Sequence, residues 1–112
     1  MNLKRKKMRR AKVLVHGTEA GFLIELEKNK KYKFIYLDHY QGIPVSLTLP
    51  VREKEFNFEE VPPFFDGLLP EGFQLDALLR NLKIDRADSF SQLIAVGEDL
   101  VGAVTVKEAE IA

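Results

Sequence analysis

The sequence predicts an α+β fold, a single small domain with a mostly antiparallel five-stranded sheet, curved or barrel-like, and two to three helices. Short runs of alternating apolar and polar side chains between residues 12 and 49 are typical of half-buried strands. Four leucines at i, i+3, i+4 and i+7, between residues 75 and 82, are typical of one face of a helix. The length of 112 residues fits one domain with its own core.

The predicted sheet begins with three closely spaced strands. They span Lys12 to His16, Phe22 to Glu27 and Tyr32 to Tyr36, with short turns between them. Because parallel strands need long crossover connections, this spacing predicts an antiparallel meander.

A fourth strand is predicted over Ile43 to Leu49, followed by a charged loop over Val51 to Glu60. In this strand Ile43, Val45, Leu47 and Leu49 would share one face. Its flanking prolines favour an edge position or the strand ends, because proline cannot donate to a sheet ladder.

Two helices and a last strand complete the predicted fold. The leucine pattern predicts a helix over Glu71 to Lys83, and a second helix is predicted over Arg86 to Val96. Asp85 is the expected N-cap of the second helix, because its carboxylate can accept bonds from free amide groups. The last strand is predicted over Asp99 to Val106, with a bulge or close backbone packing at Gly102.

The segment Pro62 to Gly72 is the most unusual part of the chain. It contains three prolines and two glycines, which are typical of turns, together with two phenylalanines and two leucines. Either the four large apolar side chains are buried in the core of the domain, or some of them contact a partner. The candidate partner-binding residues are Pro63, Phe64, Phe65, Asp66, Leu68 and Leu69.

The zero net charge of the chain conceals an uneven distribution. Residues 1–12 carry seven basic side chains and no acidic one, so we predict a flexible basic arm over residues 1–10 and a folded domain over residues 11–112. Such an arm can contact nucleic acid by an attraction that depends on salt but not on sequence. Translation from Met8 would remove four of these charges. The candidate nucleic-acid contacts are Lys4, Arg5, Lys6, Lys7, Arg9 and Arg10.

The sequence favours a binding or structural module over an enzyme. His16 and His39 would hold a metal only if the fold brought them together, and Asp66 and Glu71 are more simply explained by turn and helix-end contacts than as an acid–base pair. The face Tyr32, Phe34 and Tyr36 could stack nucleic-acid bases, although alternating aromatic side chains more often form a core. No nucleotide-binding glycine motif is present, so we expect no catalytic residue, no metal and no cofactor.

The expected location is the cytoplasm. The chain contains no cysteine, and no apolar run is long enough to cross a membrane or to act as a signal peptide.

Three sequence blocks resemble a known family. They are Pro44 to Pro50, Pro62 to Gly72 and Ala95 to Val104, and in this order they resemble the N-terminal subdomain of HipA-type serine/threonine kinase toxins. The resemblance covers residues 11 to 107. Because the sequence has no His-Arg-Asp or Asp-Phe-Gly motif, we expect no kinase activity from it.

A free-standing copy of this subdomain is similar to the HipS family, the small third proteins of tripartite HipBST toxin–antitoxin systems. The resemblance implies an antitoxin that docks on the N-lobe of a HipT-like kinase. It also implies a ternary complex with a HipB-like DNA-binding protein. Two alternatives remain: a non-inhibitory assembly subunit that links the kinase to the repressor, with the basic arm on DNA, and an activator of the kinase.

Overall fold

The computed structural model describes residues 8–100 and 102–109. A five-stranded sheet, in which every neighbouring pair of strands is antiparallel, forms one layer of the domain. The strands are β1 (Arg9–Val15), β2 (Thr18–Glu27), β3 (Lys31–Tyr36), β4 (Glu55–Phe58) and β5 (Val104–Ala109). The helices are α1 (Pro63–Asp66), α2 (Gly72–Leu82) and α3 (Ser89–Val96).

The strand order is β4-β3-β2-β1-β5, so the last strand of the chain pairs with the first. Strands β1 to β3 form the predicted meander, and β5 returns to pair with β1, so that Val15 lies opposite Val104 and Arg10 opposite Ala109. The α+β class is confirmed. The sheet is open, with β4 and β5 at its edges, so the barrel-like form of the prediction is wrong.

The fourth strand lies elsewhere in the sequence than predicted. Strand β4 pairs with β3 through Phe56 opposite Phe34 and Phe58 opposite Tyr32, inside the segment predicted to be a loop. The predicted strand over Ile43 to Leu49 is instead a turn, because the amide of Leu49 donates to the carbonyl of Ser46 at 3.0 Å. Its apolar alternation therefore does not define one buried face.

Helix α2 confirms its prediction, whereas α3 begins three residues later than predicted. Asp88, not Asp85, is its N-cap, because the Asp88 carboxylate accepts from the amide of Ser91 at 3.1 Å. Asp85 stabilises the preceding turn by accepting from the amide of Ala87 at 2.8 Å. Both aspartates bond to nearby backbone amides, and sequence alone did not show which of the two turns continues as a helix.

The last strand also begins later than predicted. A turn of 3-10 helix at Gly97–Asp99 follows α3, and β5 starts only at Val104. Gly102 has φ of +113° in the connection before β5, so it bends the chain between elements and is not a bulge within a strand. At Gly97 any Cβ atom would lie 2.1 Å from the carbonyl oxygen of Val106, which explains a glycine where α3 meets β5.

The core lies between one face of the sheet, here called the inner face, and helices α1 and α3. Its largest fully buried apolar side chains are Leu23, Phe34, Tyr36, Phe65, Phe90 and Leu93. Helix α2 contributes Leu79, which is buried, but this side chain does not belong to the core cluster. Phe34 is central, since its ring lies 4.8 Å from that of Tyr36 and 5.9 Å from that of Phe65.

All three tyrosines use their hydroxyl groups to anchor other segments. Tyr36 donates to the carbonyl of Leu49 at 2.5 Å, Tyr40 donates to that of Ile43 at 2.5 Å, and Tyr32 donates to Glu25 at 3.2 Å. Burial raises the pKa of Tyr36 and Tyr40, and burial together with the Glu25 carboxylate raises the pKa of Tyr32 to about 12.

We therefore expect the tyrosines of the folded protein to resist ionisation in alkali. The contribution of the neutral tyrosines to the free energy of unfolding is fully present below their unfolded pKa of about 10. It is lost as pH rises through their higher pKa values in the folded state. Near-ultraviolet absorbance of the folded protein should show phenolate only at pH values well above about 10, and then together with loss of structure. Protein unfolded in guanidinium should already ionise near pH of about 10. A folded protein that ionises like the unfolded control would contradict this prediction.

Candidate partner-binding surface

The proline-rich segment forms a compact turn around α1. Pro62 precedes the helix, and its carbonyl accepts from the amides of Phe65 at 2.9 Å and Asp66 at 3.0 Å. The turn continues with bonds from Leu68 to the carbonyl of Phe65 at 3.0 Å and from Leu69 to that of Asp66 at 3.1 Å. Because the backbone is fixed in this way, little conformational entropy would be lost when the turn docks on a partner.

The two phenylalanine rings of this turn have different environments. Phe65 is 0% exposed and packs against Phe34, so it belongs to the core. Phe64 is half-buried, with its ring 5.3 Å from that of Phe65 in an edge-to-face arrangement. Of the two rings, only that of Phe64 has surface available to a partner in the folded state.

The remaining predicted contact residues divide in the same way. Pro63 and Asp66 are exposed, while Leu68 and Leu69 are half-buried and pack against the core. The turn therefore presents a small surface, made of Pro63, Asp66 and parts of Phe64, Leu68 and Leu69. Asp66 shares a groove with Glu71, but both carboxylates are exposed, as expected for residues at turns and helix ends.

Phe73 is a candidate contact that the sequence analysis missed. It lies in the first turn of α2, three residues after Pro70, and its side chain is 92% exposed. At 100° per residue it points away from the leucine stripe of this helix, so α2 does not bury it. Contact between an exposed aromatic ring and water is unfavourable, and a partner that covers the ring removes this contact.

Two residues of the predicted basic arm lie in a strand instead. Arg9 and Arg10 belong to β1, and the guanidinium of Arg10 lies 5.0 Å from the centre of the Phe22 ring. Assigning Arg9 to a flexible nucleic-acid contact is therefore wrong, since its side chain is bound inside the domain. Lys4, Arg5, Lys6 and Lys7 lie outside the described residues.

Arg9 joins the sheet to α3 through a cluster of charged and polar side chains. Its Nε donates to Glu25 at 2.6 Å, one terminal nitrogen donates to Asp88 at 2.9 Å, and the other donates to Ser91 at 2.7 Å. Glu25 is 1% exposed and also accepts from the Tyr32 hydroxyl at 3.2 Å. The geometry is that of a structural ion pair whose remaining acceptors are satisfied.

The pKa of Asp88 reflects the same contacts. Burial raises this pKa, but the hydrogen bonds from Arg9 and Ser91 outweigh burial and hold it below its usual value. Burial lowers the pKa of Arg9, and the two carboxylates more than offset this effect, so Arg9 stays protonated at any ordinary pH.

Two other sequence hypotheses depended on side chains that the fold places differently. Tyr32, Phe34 and Tyr36 are all buried, so stacking of nucleic-acid bases on this face is wrong. His16 and His39 do border one groove, but no group of three potential metal ligands exists among residues 8–100 and 102–109. In the same part of the chain, no helix has the length and apolar character needed to cross a membrane.

Comparisons with known proteins place this geometry in a family. The sequence-family model of the HipA N-terminal domain matches residues 11–107. The solved structure of the N-terminal domain of HipA toxin superposes with a TM-score of 0.73 and 30% identity, covering 96% of this chain and 99% of that one.

Two curated relatives match this chain over very different shares of their own length. An uncharacterized protein of Haemophilus influenzae is 35% identical over 101 residues, which cover 90% of this chain and 93% of that protein. The putative kinase Y4mE of Sinorhizobium fredii is 37% identical over 73 residues, 65% of this chain but only 17% of the kinase. By its sequence and its fold, the chain belongs to the HipA N-terminal domain family.

Proposed function

We propose that this chain is an antitoxin that binds a HipA-like serine/threonine kinase in trans, docks on its N-lobe and neutralises it in the cytoplasm. The family provides the kinase context, since the same domain occurs both in a small relative and in a much longer putative kinase. We propose that a kinase without its own copy exposes the surface on which this domain docks.

The observation that carries the proposal is the exposed aromatic ring of Phe73 beside a rigid turn. Phe73 is 92% exposed, and the turn before it presents Pro63 and Asp66 from a fixed backbone. Aromatic anchors that fill a partner's pocket are the commonest interface hot spots. We propose that Pro63 to Leu69, with Phe73, reaches the kinase cleft and blocks substrate or an active arrangement of its loops.

A HipB-like DNA-binding protein is the expected third member of the complex. A non-inhibitory assembly subunit and an activator of the kinase would dock through the same surface, since docking alone does not determine the sign of the effect. These two alternatives differ from the antitoxin in what happens to kinase activity after binding.

The test is kinase toxicity in cells. A HipA-like kinase without its own N-terminal domain, from the same genome, is expressed alone and then with this chain. We expect growth to be restored and the two proteins to co-purify as a stable complex. A catalytically inactive kinase serves as the control for the burden of expression. Binding without restored growth would favour the assembly or activator role, and absence of binding would contradict the proposal.

A further inference from the structure

The strands turn a second set of side chains away from the core. Along β1, β2, β3 and β5 these residues alternate with buried ones, and they form the side of the sheet that faces away from α1 and α3, named here the outer face. Solvated faces of antiparallel sheets are usually polar. The middle of this face instead holds four half-buried apolar side chains that lie outside the core cluster: Leu14, Phe22, Ile24 and Ile35.

Two lysines face each other beside this apolar centre. Lys12 on β1 lies directly opposite Lys107 on β5, and Lys107 is exposed. Like charges in this position are unfavourable, and Lys12 offsets part of the repulsion by donating to Glu19 at 3.0 Å. Arg10 adds a third positive charge on the same face of β1, two residues and about 7 Å along the strand from Lys12. An anion bound between these side chains would remove the remaining repulsion.

The charges of the domain are divided between its two sides. Seven basic and three acidic side chains lie on the outer face and on the turn between β2 and β3 at its end: Arg10, Lys12, Lys28, Lys30, Lys31, Lys33 and Lys107 against Glu19, Glu27 and Glu55. Residues 59–99, which contain α1, α2 and α3, carry nine acidic side chains and three basic ones. The field of the domain therefore attracts a polyanion to the outer face and repels it from the helices.

Phe22 lies among the positive charges of the outer face. It is opposite Lys12 on one side and Ile35 on the other, and the Arg10 guanidinium lies 5.0 Å from the centre of its ring. Nucleic-acid bases stack on aromatic rings and on the planes of guanidinium groups. The aromatic side of β3, where the sequence suggested base stacking, is buried, but the outer face combines a ring and a guanidinium group at its surface.

We propose that the outer face binds single-stranded RNA, with the opposed lysines and Arg10 on its phosphates and Phe22 against a base. Unstacked bases are available mainly in the loops and ends of RNA, whereas a duplex keeps its bases stacked. An acidic protein segment could pair with the lysines but would bring no planar base for Phe22. The contact goes beyond the proposed function, since it lies on the side of the sheet away from α1.

The test measures the fluorescence anisotropy of a labelled single strand of about 20 uridines, titrated with the full chain at about 50 mM and 200 mM salt. The main variant is Lys107→Glu. It should raise the Kd at low salt at least about fivefold and lower the slope of log Kd against log salt by about 0.7, since one phosphate contact is lost. The variant should stay folded, because Lys12 then faces an opposite charge, and thermal unfolding followed by circular dichroism checks this.

Two further variants separate the parts of the contact. Phe22→Leu keeps an apolar side chain but removes the ring, so it should raise the Kd about fivefold or more and leave the salt slope unchanged. The matched control is Arg80→Glu, which makes the same change of charge at an exposed position of α2, a helix that shares a groove with α3. It should leave the Kd within about twofold, because it lies on the helical side of the domain and salt screens charges more than about 10 Å apart.

Each outcome supports or overturns the RNA site without bearing on the kinase, because kinase binding is measured separately. Absence of binding by wild type at low salt, an unchanged Kd for folded Lys107→Glu, or an equal loss in Arg80→Glu would overturn the site. An unchanged Kd for Phe22→Leu would show a contact with charge alone and overturn base stacking. Competition by polyglutamate as strong as that by unlabelled RNA would assign the face to an acidic protein segment. Tighter binding of a thymidine DNA strand of equal length would overturn the assignment to RNA.

Discussion

Replacing Phe73 with alanine is expected to abolish protection against the kinase while leaving the free protein intact. The side chain is 92% exposed, so its removal should change the free energy of unfolding by no more than about 0.5 kcal/mol. An aromatic hot spot contributes about 2 kcal/mol or more, which corresponds to a rise in Kd of about 30-fold or more. The measurements are growth with the active kinase, and titration against the inactive one.

Phe65→Ala provides the matched comparison, because it also removes a phenylalanine ring, but from the interior of the domain. Phe65 is 0% exposed, and truncating a buried phenylalanine costs about 3–5 kcal/mol. A domain of this size is stable by only about 5–15 kcal/mol, so this variant should lose a large share of its stability, and any loss of protection should come with unfolding. Denaturant unfolding separates the two cases, since only Phe73→Ala should lose binding at full stability. Full protection by folded Phe73→Ala would exclude Phe73 as the anchor.

The difference between Phe73 and Phe65 shows what local sequence patterns can and cannot predict. The segment Pro62 to Gly72 was recognisable as a turn with apolar side chains, because proline and glycine act on the local backbone. Which ring points inward depends on where Phe34 lies, and Phe34 is about 30 residues away in the sequence. Phe73 lies outside the leucine stripe that identifies α2, so the helical pattern gives no signal for it.

The strands show the same division between local and distant causes. The meander of β1 to β3 was predictable, since its alternation and its short turns are local. Ile43 to Leu49 has the alternation of a strand but is held as a turn by Tyr36, while Glu55–Phe58 is a strand because β3 offers it a free edge. In both segments tertiary contacts outweighed the local pattern.

Arg9→Met is expected to have the largest effect on stability among the charged residues of the domain. It would leave the carboxylate of Glu25, which is 1% exposed, without the guanidinium that bonds it at 2.6 Å. Removing one partner of a buried ion pair costs about 3–5 kcal/mol, because the other charge stays buried. The Tyr32 hydroxyl would still donate to Glu25, but a neutral donor compensates a charge only in part.

The pH dependence of stability provides an independent measure of the same cluster. The bonds from Arg9 and Ser91 lower the pKa of Asp88 in the folded state despite its burial. A carboxylate with a lowered folded pKa stabilises the protein above its unfolded pKa of about 3.9, and this stabilisation is lost as pH falls through the folded value. In Arg9→Met this acid-dependent part of the stability should be smaller than in wild type.

The control for the ion pair is the double variant Arg9→Met with Glu25→Met, compared with each single variant in guanidinium unfolding. If the cost of Arg9→Met comes mainly from the stranded Glu25 carboxylate, the double variant should be more stable than Arg9→Met alone, because of the two carboxylates that Arg9 binds only that of Asp88 then remains. Equal stability of the two would mean that Arg9 acts mainly through its stacking on Phe90, at 4.9 Å from the ring centre. An unchanged free energy of unfolding in Arg9→Met would contradict the stabilising role assigned to the ion pair between Arg9 and Glu25.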